Sequence, residues 1–122
     1  MTPTGRNIVL DKAYEFAIQI VNTYKLLTCE KKEYVMSKQL LRSGTAVGAL
    51  IKEAEHAQSK ADFLNKMNIA LKEANETEYW IELLRDTDYL TEEEIGSLLN
   101  NISQILKLLI SIVKTTKTSL NR

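Results

Sequence analysis

The stretch QLLRSGTAVGALIKEAE, residues 39–55, decides the fold of this chain. Its apolar and small residues recur at intervals of four and three, the spacing of one helix face: Leu40, Gly44, Val47, Ile51 and Ala54. Glycine costs a helix about 0.5–1 kcal/mol relative to alanine, yet Gly44 and Gly48 both stand inside this pattern. We therefore predict a helix whose glycines let a neighbouring element approach closely.

The same periodicity continues on both sides of this stretch. It predicts four helices, over about residues 8–28, 33–56, 60–87 and 92–118. The core stripe predicted for the third helix is Phe63, Met67, Ala70, Ala74, Thr77, Ile81 and Leu84, and that for the fourth is Ile95, Leu98, Ile102, Ile105, Leu109, Ile112 and Thr116. Ser59 with Asp62, and Thr91 with Glu94, have the spacing of capping boxes at the starts of the last two helices. Four long helices with short connections and no strand pattern indicate an all-α protein. We predict one domain over residues 1–122, an up-and-down antiparallel four-helix bundle.

The composition is typical of a soluble globular protein that is located in the cytoplasm. The chain is 44% hydrophobic and 26% charged, with a formal net charge of zero. Its single cysteine, Cys29, has no partner for an internal disulfide, which fits a reducing compartment. No apolar run near residue 1 is long enough for a signal peptide. The apolar run at residues 105–113 is too short to span a bilayer, so we expect no membrane partner.

The charge is unevenly distributed along the chain. Residues 57–94 carry 4 basic and 10 acidic side chains, whereas residues 95–122 carry 4 basic side chains and no acidic one. Three of those basic residues lie at helical spacing on the last helix: Lys107, Lys114 and Lys117. Repeated around an oligomer, they would form a ring of positive charge, so we name them as candidate RNA or DNA contacts. The alternative is that these lysines only keep an apolar helix soluble.

The last helix has more apolar residues than one core-facing stripe requires. Leu106, Leu108, Ile110 and Val113 lie beside its core positions. In the helix of the opening stretch, Ala46 and Ala49 occupy positions that face away from the core. We predict that helices one, two or four pack against other copies of the chain; the alternative is that these apolar residues are only the single exposed ones common on protein surfaces. The predicted close-packing residues are Gly44, which faces the core, and Ala46, Gly48 and Ala49 on the flank and back of helix two.

Polar residues beside the core offer two interpretations. Arg42, Glu53, Glu73 and Glu76 are predicted to form a structural polar cluster, because a guanidinium matches carboxylates and can fix the register of two helices. The other interpretation is a metal site, since Glu53 and His56 have the Glu-x-x-His spacing of di-iron bundles. A di-metal bundle needs two such pairs, and this chain has one histidine. We therefore predict no metal and no cofactor.

Catalytic motifs are also missing from the sequence. Gly44 and Gly48 are inside a helix with no preceding strand, so they do not form a phosphate-binding loop. Cys29 is far in sequence from His56, and Ser43 has no base at helical spacing. We predict no catalytic residue and a protein that is not an enzyme.

Residues 37–84 resemble the bacterial four-helix-bundle proteins called 23S rRNA-intervening-sequence proteins. The family pattern has a Q-L-x-R-S segment in helix two and a run of small residues that ends in Asn-x-x-Glu. It continues in helix three with D-F, I-A and an acidic E-x-x-x-W-like segment. The matching residues are Gln39, Leu40, Arg42, Ser43, Glu53, Asp62, Phe63, Ile69, Ala70, Glu73, Glu78 and Trp80.

The resemblance implies an antiparallel four-helix bundle that assembles as a homopentameric ring, with a largely unassigned biochemical role. A related group, the accessory proteins of diversity-generating retroelements, forms basic pentamers that bind nucleic acid and a reverse transcriptase. By that analogy we expect an RNA- or DNA-associated accessory scaffold. The alternative is a protein-interaction module without nucleic-acid affinity. Ala46 and Leu50 stand where the family usually has serine and asparagine. If those polar residues were functional, this chain has lost the function; if they were structural, helix two has repacked.

Overall fold

Four helices joined by short connections make up the described chain. The computed structural model describes residues 5–121, with side chains from residue 8 onward. The helices are α1 (Gly5–Cys29), α2 (Met36–Ala54), α3 (Lys60–Asp86) and α4 (Glu92–Leu120), and no strand occurs between residues 5 and 121. Their order and short connections agree with the predicted bundle, and α2 is the helix whose ends differ most from the predicted 33–56.

Each helix packs against two neighbours, so that α1, α2, α3 and α4 follow one another around the bundle and α4 closes it against α1. The hydrogen bonds between α1 and α4 have the order that antiparallel helices require, because residues later in α1 contact residues earlier in α4. Lys12 of α1 donates to Gln104 of α4, whereas Gln19, farther along α1, donates to Ser97, nearer the start of α4. The predicted fold class, an antiparallel up-and-down four-helix bundle, is confirmed.

Local capping explains where α3 and α4 begin. Thr91 Oγ1 accepts from the Glu94 backbone N–H at 3.2 Å, and the Glu94 carboxylate accepts from the Thr91 N–H at 2.8 Å, which is a complete capping box. Ser59 caps α3 through the Asp62 N–H at 3.0 Å. The Asp62 carboxylate accepts from the N–H of Gln58, one residue before the cap, so this second box differs from the predicted form.

The interior follows the predicted helix faces closely. All five residues of the α2 stripe are buried, and α3 buries every residue of its predicted stripe from Met67 to Leu84. In α4 the later part of the stripe shifts, because a straight helix drifts by about 20° per heptad relative to a strict seven-residue repeat. Leu106 and Val113 are therefore buried in the bundle, while Ile112 is half-buried. Part of the apolar excess of α4 is used inside the subunit.

One described helix, α4, is long and apolar enough to cross a membrane by length and composition. The apolar run at residues 105–113 is one part of this longer helix, and the absence of a membrane partner stays a prediction. The apolar side chains of α4 pack against the other helices as a core helix would, and seven of its residues are buried. They are Ile95, Leu98, Ile102, Ile105, Leu106, Leu109 and Val113.

Candidate functional site

An ion-paired group joins α2 to α3 on the outside of the bundle. Arg42 Nη1 lies 3.1 Å from Glu73 Oε1, and Arg42 Nη2 donates to Glu76 Oε2. The same Glu76 oxygen accepts from Trp80 Nε1 at 3.0 Å. Glu73, Glu76 and Trp80 recur at three and four residues along α3, so one face of that helix presents all three to the guanidinium. We call Arg42, Glu73, Glu76 and Trp80 the arginine cluster.

The arginine cluster is electrostatically matched. The indole N–H of Trp80 and then the guanidinium of Arg42 hold the pKa of Glu76 below its ordinary value of 4.5. Its hydrogen bond with Glu76 raises the pKa of Arg42 in turn. The Arg42 side chain is 49% exposed and that of Glu73 is 19% exposed, so water screens the pairs in part. This group can fix helix register.

Glu53 stands apart from the arginine cluster, although the sequence placed it in the same group. Its carboxylate pairs with Lys66 Nζ at 3.2 Å. Glu53 follows Arg42 by eleven residues on α2, which separates them by about 16 Å along the axis at 1.5 Å per residue. One arginine side chain cannot reach carboxylates at both levels. The four predicted residues therefore form two separate α2–α3 ion-paired groups.

A buried hydroxyl pair, which sequence reasoning missed, links the same two helices inside the bundle. Thr77 Oγ1 lies 3.0 Å from Ser43 Oγ and donates to the Glu73 carbonyl at 2.8 Å, and both side chains are fully buried. The threonine was correctly placed on the core stripe of α3. The sequence contained one indication of the partner of Thr77. Ser43 stands directly before Gly44, which was predicted on the core face of α2.

Glu33 is a buried carboxylate that the sequence analysis did not single out. It is buried in the α1–α2 connection, where its carboxylate accepts from the backbone N–H groups of Val35, Met36 and Ser37 at 2.7–3.1 Å. Burial raises the pKa of Glu33, but these donors together outweigh that effect and leave the pKa below its ordinary value of 4.5. The carboxylate thus caps the N-terminus of α2, where the helix dipole favours negative charge.

The predicted close-packing residues play different parts. A Cβ built on Gly44 would lie 2.9–3.2 Å from three side-chain carbons of Ile20, so α1 and α2 meet at this glycine. A Cβ on Gly48 would lie 3.6 Å from Ala13, an ordinary contact. Ala46 is half-buried and Ala49 is exposed. Leu50, where the family usually has asparagine, is half-buried and packs against the core.

The three candidate nucleic-acid lysines lie on the outer part of α4. Lys107, Lys114 and Lys117 are all exposed, and none forms an ion pair with another described residue. His56 is exposed in the turn after α2. Within residues 5–121, no three His, Cys, Asp or Glu side chains converge in a way that could hold a metal ion.

A partly exposed arginine–carboxylate–indole group, a buried hydroxyl pair and a capped α2 define a four-helix bundle whose polar groups serve its architecture. The chain belongs to the 23S rRNA-intervening sequence protein family, whose model matches residues 6–111. It is similar to a solved structure described as a protein with unknown function from the S23 ribosomal protein family of Bacteroides thetaiotaomicron VPI-5482. The two are 63% identical, with a TM-score of 0.89, over 91% of this chain and 99% of that one. No curated protein matches the chain.

Proposed function

We propose that this chain is a cytoplasmic, non-enzymatic protein that assembles into a homopentameric ring and serves as a scaffold. The observation that carries the assembly is apolar surface that remains outside the subunit core. Tyr14 and Ile18 of α1 are 67% and 49% exposed, and Ile110 of α4 is 53% exposed. Burial of apolar surface contributes about 25 cal/mol per Å², so covering these side chains with another copy favours association. The number five comes from the family resemblance.

The absence of an enzymatic role is supported by the position of the reactive side chains. Cys29 ends α1 and His56 follows α2, so the antiparallel arrangement puts them at opposite ends of the bundle. A nucleophile and its base must lie within hydrogen-bonding reach. The carboxylates of the arginine cluster are engaged with Arg42 and Trp80.

The assembly is tested by light scattering coupled to size-exclusion chromatography, with native mass spectrometry to count subunits. We expect a species of five chains at micromolar concentration, and a monomer of 13.9 kDa would contradict the proposal. Ile18→Glu should dissociate the assembly while leaving the helices intact, because this side chain is half exposed in the subunit. Gln104→Glu is the matched control, since it adds the same charge at an exposed site of α4 that contacts Lys12 of the same chain, and a carboxylate there can still accept from Lys12.

A second proposal concerns what the scaffold holds, namely RNA or DNA. It is supported by Lys107, Lys114 and Lys117 of α4, which are exposed and form no ion pair within the described chain. In addition, the sequence contains no acidic residue after Glu94. Phosphate binding by lysines releases counterions, so the affinity should fall steeply as salt increases. Fluorescence anisotropy with a single-stranded RNA and a duplex DNA, at low and at physiological salt, measures this.

Charge reversal separates a phosphate contact from a solubilising lysine. Lys114→Glu should weaken binding by about tenfold at low salt, whereas Lys72→Glu, an exposed reversal on α3, should change it much less. If the wild-type chain binds neither nucleic acid at low salt, the remaining function is that of a protein-interaction module. Co-purification of a protein partner with the tagged chain would then identify what it binds.

A further inference from the structure

The core of the bundle is least enclosed at the end where α2 is joined to α3. Lys12 of α1 bonds to Gln104 of α4, and these helices are antiparallel. Gly5, where α1 begins, precedes Lys12 by seven residues, so it is level with a residue about seven after Gln104, whereas α4 continues to Leu120. The last turns of α4 therefore extend beyond Gly5, and in the described part of the chain three helix ends surround the core here.

Two residues of the predicted core stripes show the effect of this arrangement. Phe63 is the first residue of the stripe on α3, and Thr116 is the last residue of the stripe on α4. Both are half-buried, whereas Met67, the next residue of the α3 stripe, is fully buried. The core thus ends in an apolar surface that is only partly covered by the described helices.

A pocket of about 390 Å³ lies at this end of the core. We call it the core-end pocket, and its apolar wall comes from Ala54, Ala57 and Phe63. Thr116 also lines it, with its hydroxyl already donating to the Ile112 carbonyl at 2.7 Å. Pockets that bind small molecules have volumes of about 300–1,000 Å³ and are mostly apolar, with a few polar groups that orient the ligand.

The polar side of the core-end pocket is formed by Lys60 and Ser119. Lys60 Nζ donates to Ser119 Oγ, and both residues line the pocket. Lys60 forms no ion pair with another described residue, so its ammonium, which has three donors, is bonded to a neutral hydroxyl. A carboxylate is a stronger acceptor for an ammonium than a hydroxyl is, and the Ser119 hydroxyl can donate to the same carboxylate.

One acidic residue, Glu55, also lines the core-end pocket. Like charges repel, so this carboxylate disfavours an anionic group beside it, while the ammonium of Lys60 favours one. The pocket therefore distinguishes the two ends of a ligand, with an acidic group at Lys60 and Ser119 and an apolar group against Phe63 and the two alanines.

We infer that the core-end pocket binds a small amphipathic anion, a molecule with an apolar body and one carboxylate. The body packs against Phe63, Ala54 and Ala57, and the carboxylate accepts from Lys60 and Ser119. This inference concerns a single subunit. It depends neither on the proposed assembly nor on the binding of RNA or DNA.

The test compares three probes on the full-length wild-type chain: octanoate, 1-octanol and butanoate. The alcohol keeps the chain length of octanoate without its charge, and butanoate keeps the charge on a shorter chain. We expect octanoate to shift the backbone amide NMR signals of Ala57, Phe63 and Ser119. It should bind about fivefold or more tightly than 1-octanol and about tenfold or more tightly than butanoate.

Two substitutions separate the polar and apolar parts of the pocket. Lys60→Met keeps an apolar stem of similar length and removes the charge, so the affinity for octanoate should fall to that for 1-octanol, which itself should not change. Ala57→Leu narrows the pocket and should weaken both ligands by about tenfold. Lys72→Met is the control, since Lys72 is an exposed lysine of α3 that does not line the pocket.

Circular dichroism of every variant checks that the helices remain. The inference is overturned if octanoate shifts none of the three amides, or if it binds Lys60→Met as tightly as the wild type. Equal affinities of the wild type for octanoate and 1-octanol would also overturn it, because the pocket would then select apolar molecules without regard to charge. A folded Ala57→Leu chain with unchanged affinities would place the ligand outside the pocket.

Discussion

Gly44 of α2 lies directly against Ile20 of α1: a Cβ at residue 44 would stand 2.9 Å from Ile20 Cγ1 and 3.0 Å from Cγ2. Real Cβ atoms essentially never come so close, and Ile20 is fully buried, so it has little room to move. The second glycine of α2, Gly48, has only ordinary contacts, at 3.6 Å from Ala13. The two glycines therefore have different reasons to be in this helix.

This difference gives a prediction of opposite sign at the two positions. Gly44→Ala should destabilise the subunit by about 1–2 kcal/mol, since overpacking outweighs the gain in helix propensity. Gly48→Ala should stabilise it by about 0.5–1 kcal/mol, since the methyl group fits and alanine favours the helix. Urea unfolding followed by circular dichroism measures both. Equal effects at the two positions would contradict the close approach of α1 and α2 at Gly44.

The buried Ser43–Thr77 pair should behave as a unit. Thr77→Val removes the hydroxyl that donates to the Glu73 carbonyl and leaves the Ser43 hydroxyl without this partner in the core, so we expect a loss of about 1–2 kcal/mol. Ser43→Ala should cost about 0.5–1.5 kcal/mol, because Thr77 keeps its bond to the Glu73 carbonyl. The double variant should lose less than the sum of the two. Strict additivity in the double-mutant cycle would show that the hydroxyls do not interact.

Arg42 should contribute modestly to stability, in keeping with its half-exposed side chain. Arg42→Ala leaves Glu73 and Glu76 facing each other without a cation, and we expect a loss of about 0.5–1 kcal/mol that shrinks at high salt. Arg42→Lys should recover only part of it, because a single ammonium replaces a two-armed fork. Arg85→Ala is the control, since Arg85 pairs only with its neighbour Asp86 among described residues. Unchanged thermal stability and oligomeric state in Arg42→Ala would rule out a structural role.

Glu33 predicts how stability depends on pH. Its folded-state pKa is lowered, so its contribution is present above the ordinary pKa of 4.5 and disappears as the pH falls through the folded value. Glu76 acts in the same direction. Urea midpoints measured from about pH 7 to about pH 3 should fall, and Glu33→Gln should flatten part of that fall. Glu30→Gln, an exposed change in the same connection, should keep the wild-type slope.

The helices themselves could be predicted because each depends on local order in the sequence. The three-and-four spacing of apolar residues identifies four buried stripes, and Thr91 with Glu94 marks a helix start through contacts within one turn. The ends of α2 were less predictable. Glu33 has the sequence appearance of a first-turn glutamate, but it folds back as the cap of a helix that begins at Met36.

The candidate site was predictable only in part. Arg42 with Glu73 and Glu76 was within reach of sequence reasoning, because opposite charges at helical spacing face each other across antiparallel helices. The separation of Glu53 and the Ser43–Thr77 contact were not, because both depend on how far α2 slides along α3. Periodicity gives the direction in which a side chain points, and it does not give the axial register between two helices.

The sequence by itself determined the number of helices, their core-facing residues and the bundle class, since these follow from spacing within each helix. Tertiary structure decided which polar groups meet, which glycine is indispensable, and which apolar residues stay outside. The reason is that these outcomes depend on the relative position of two helices, to within about one ångström. Ile20 against Gly44, and Leu106 inside the core while Ile110 remains outside it, are fixed only when the four helices pack together.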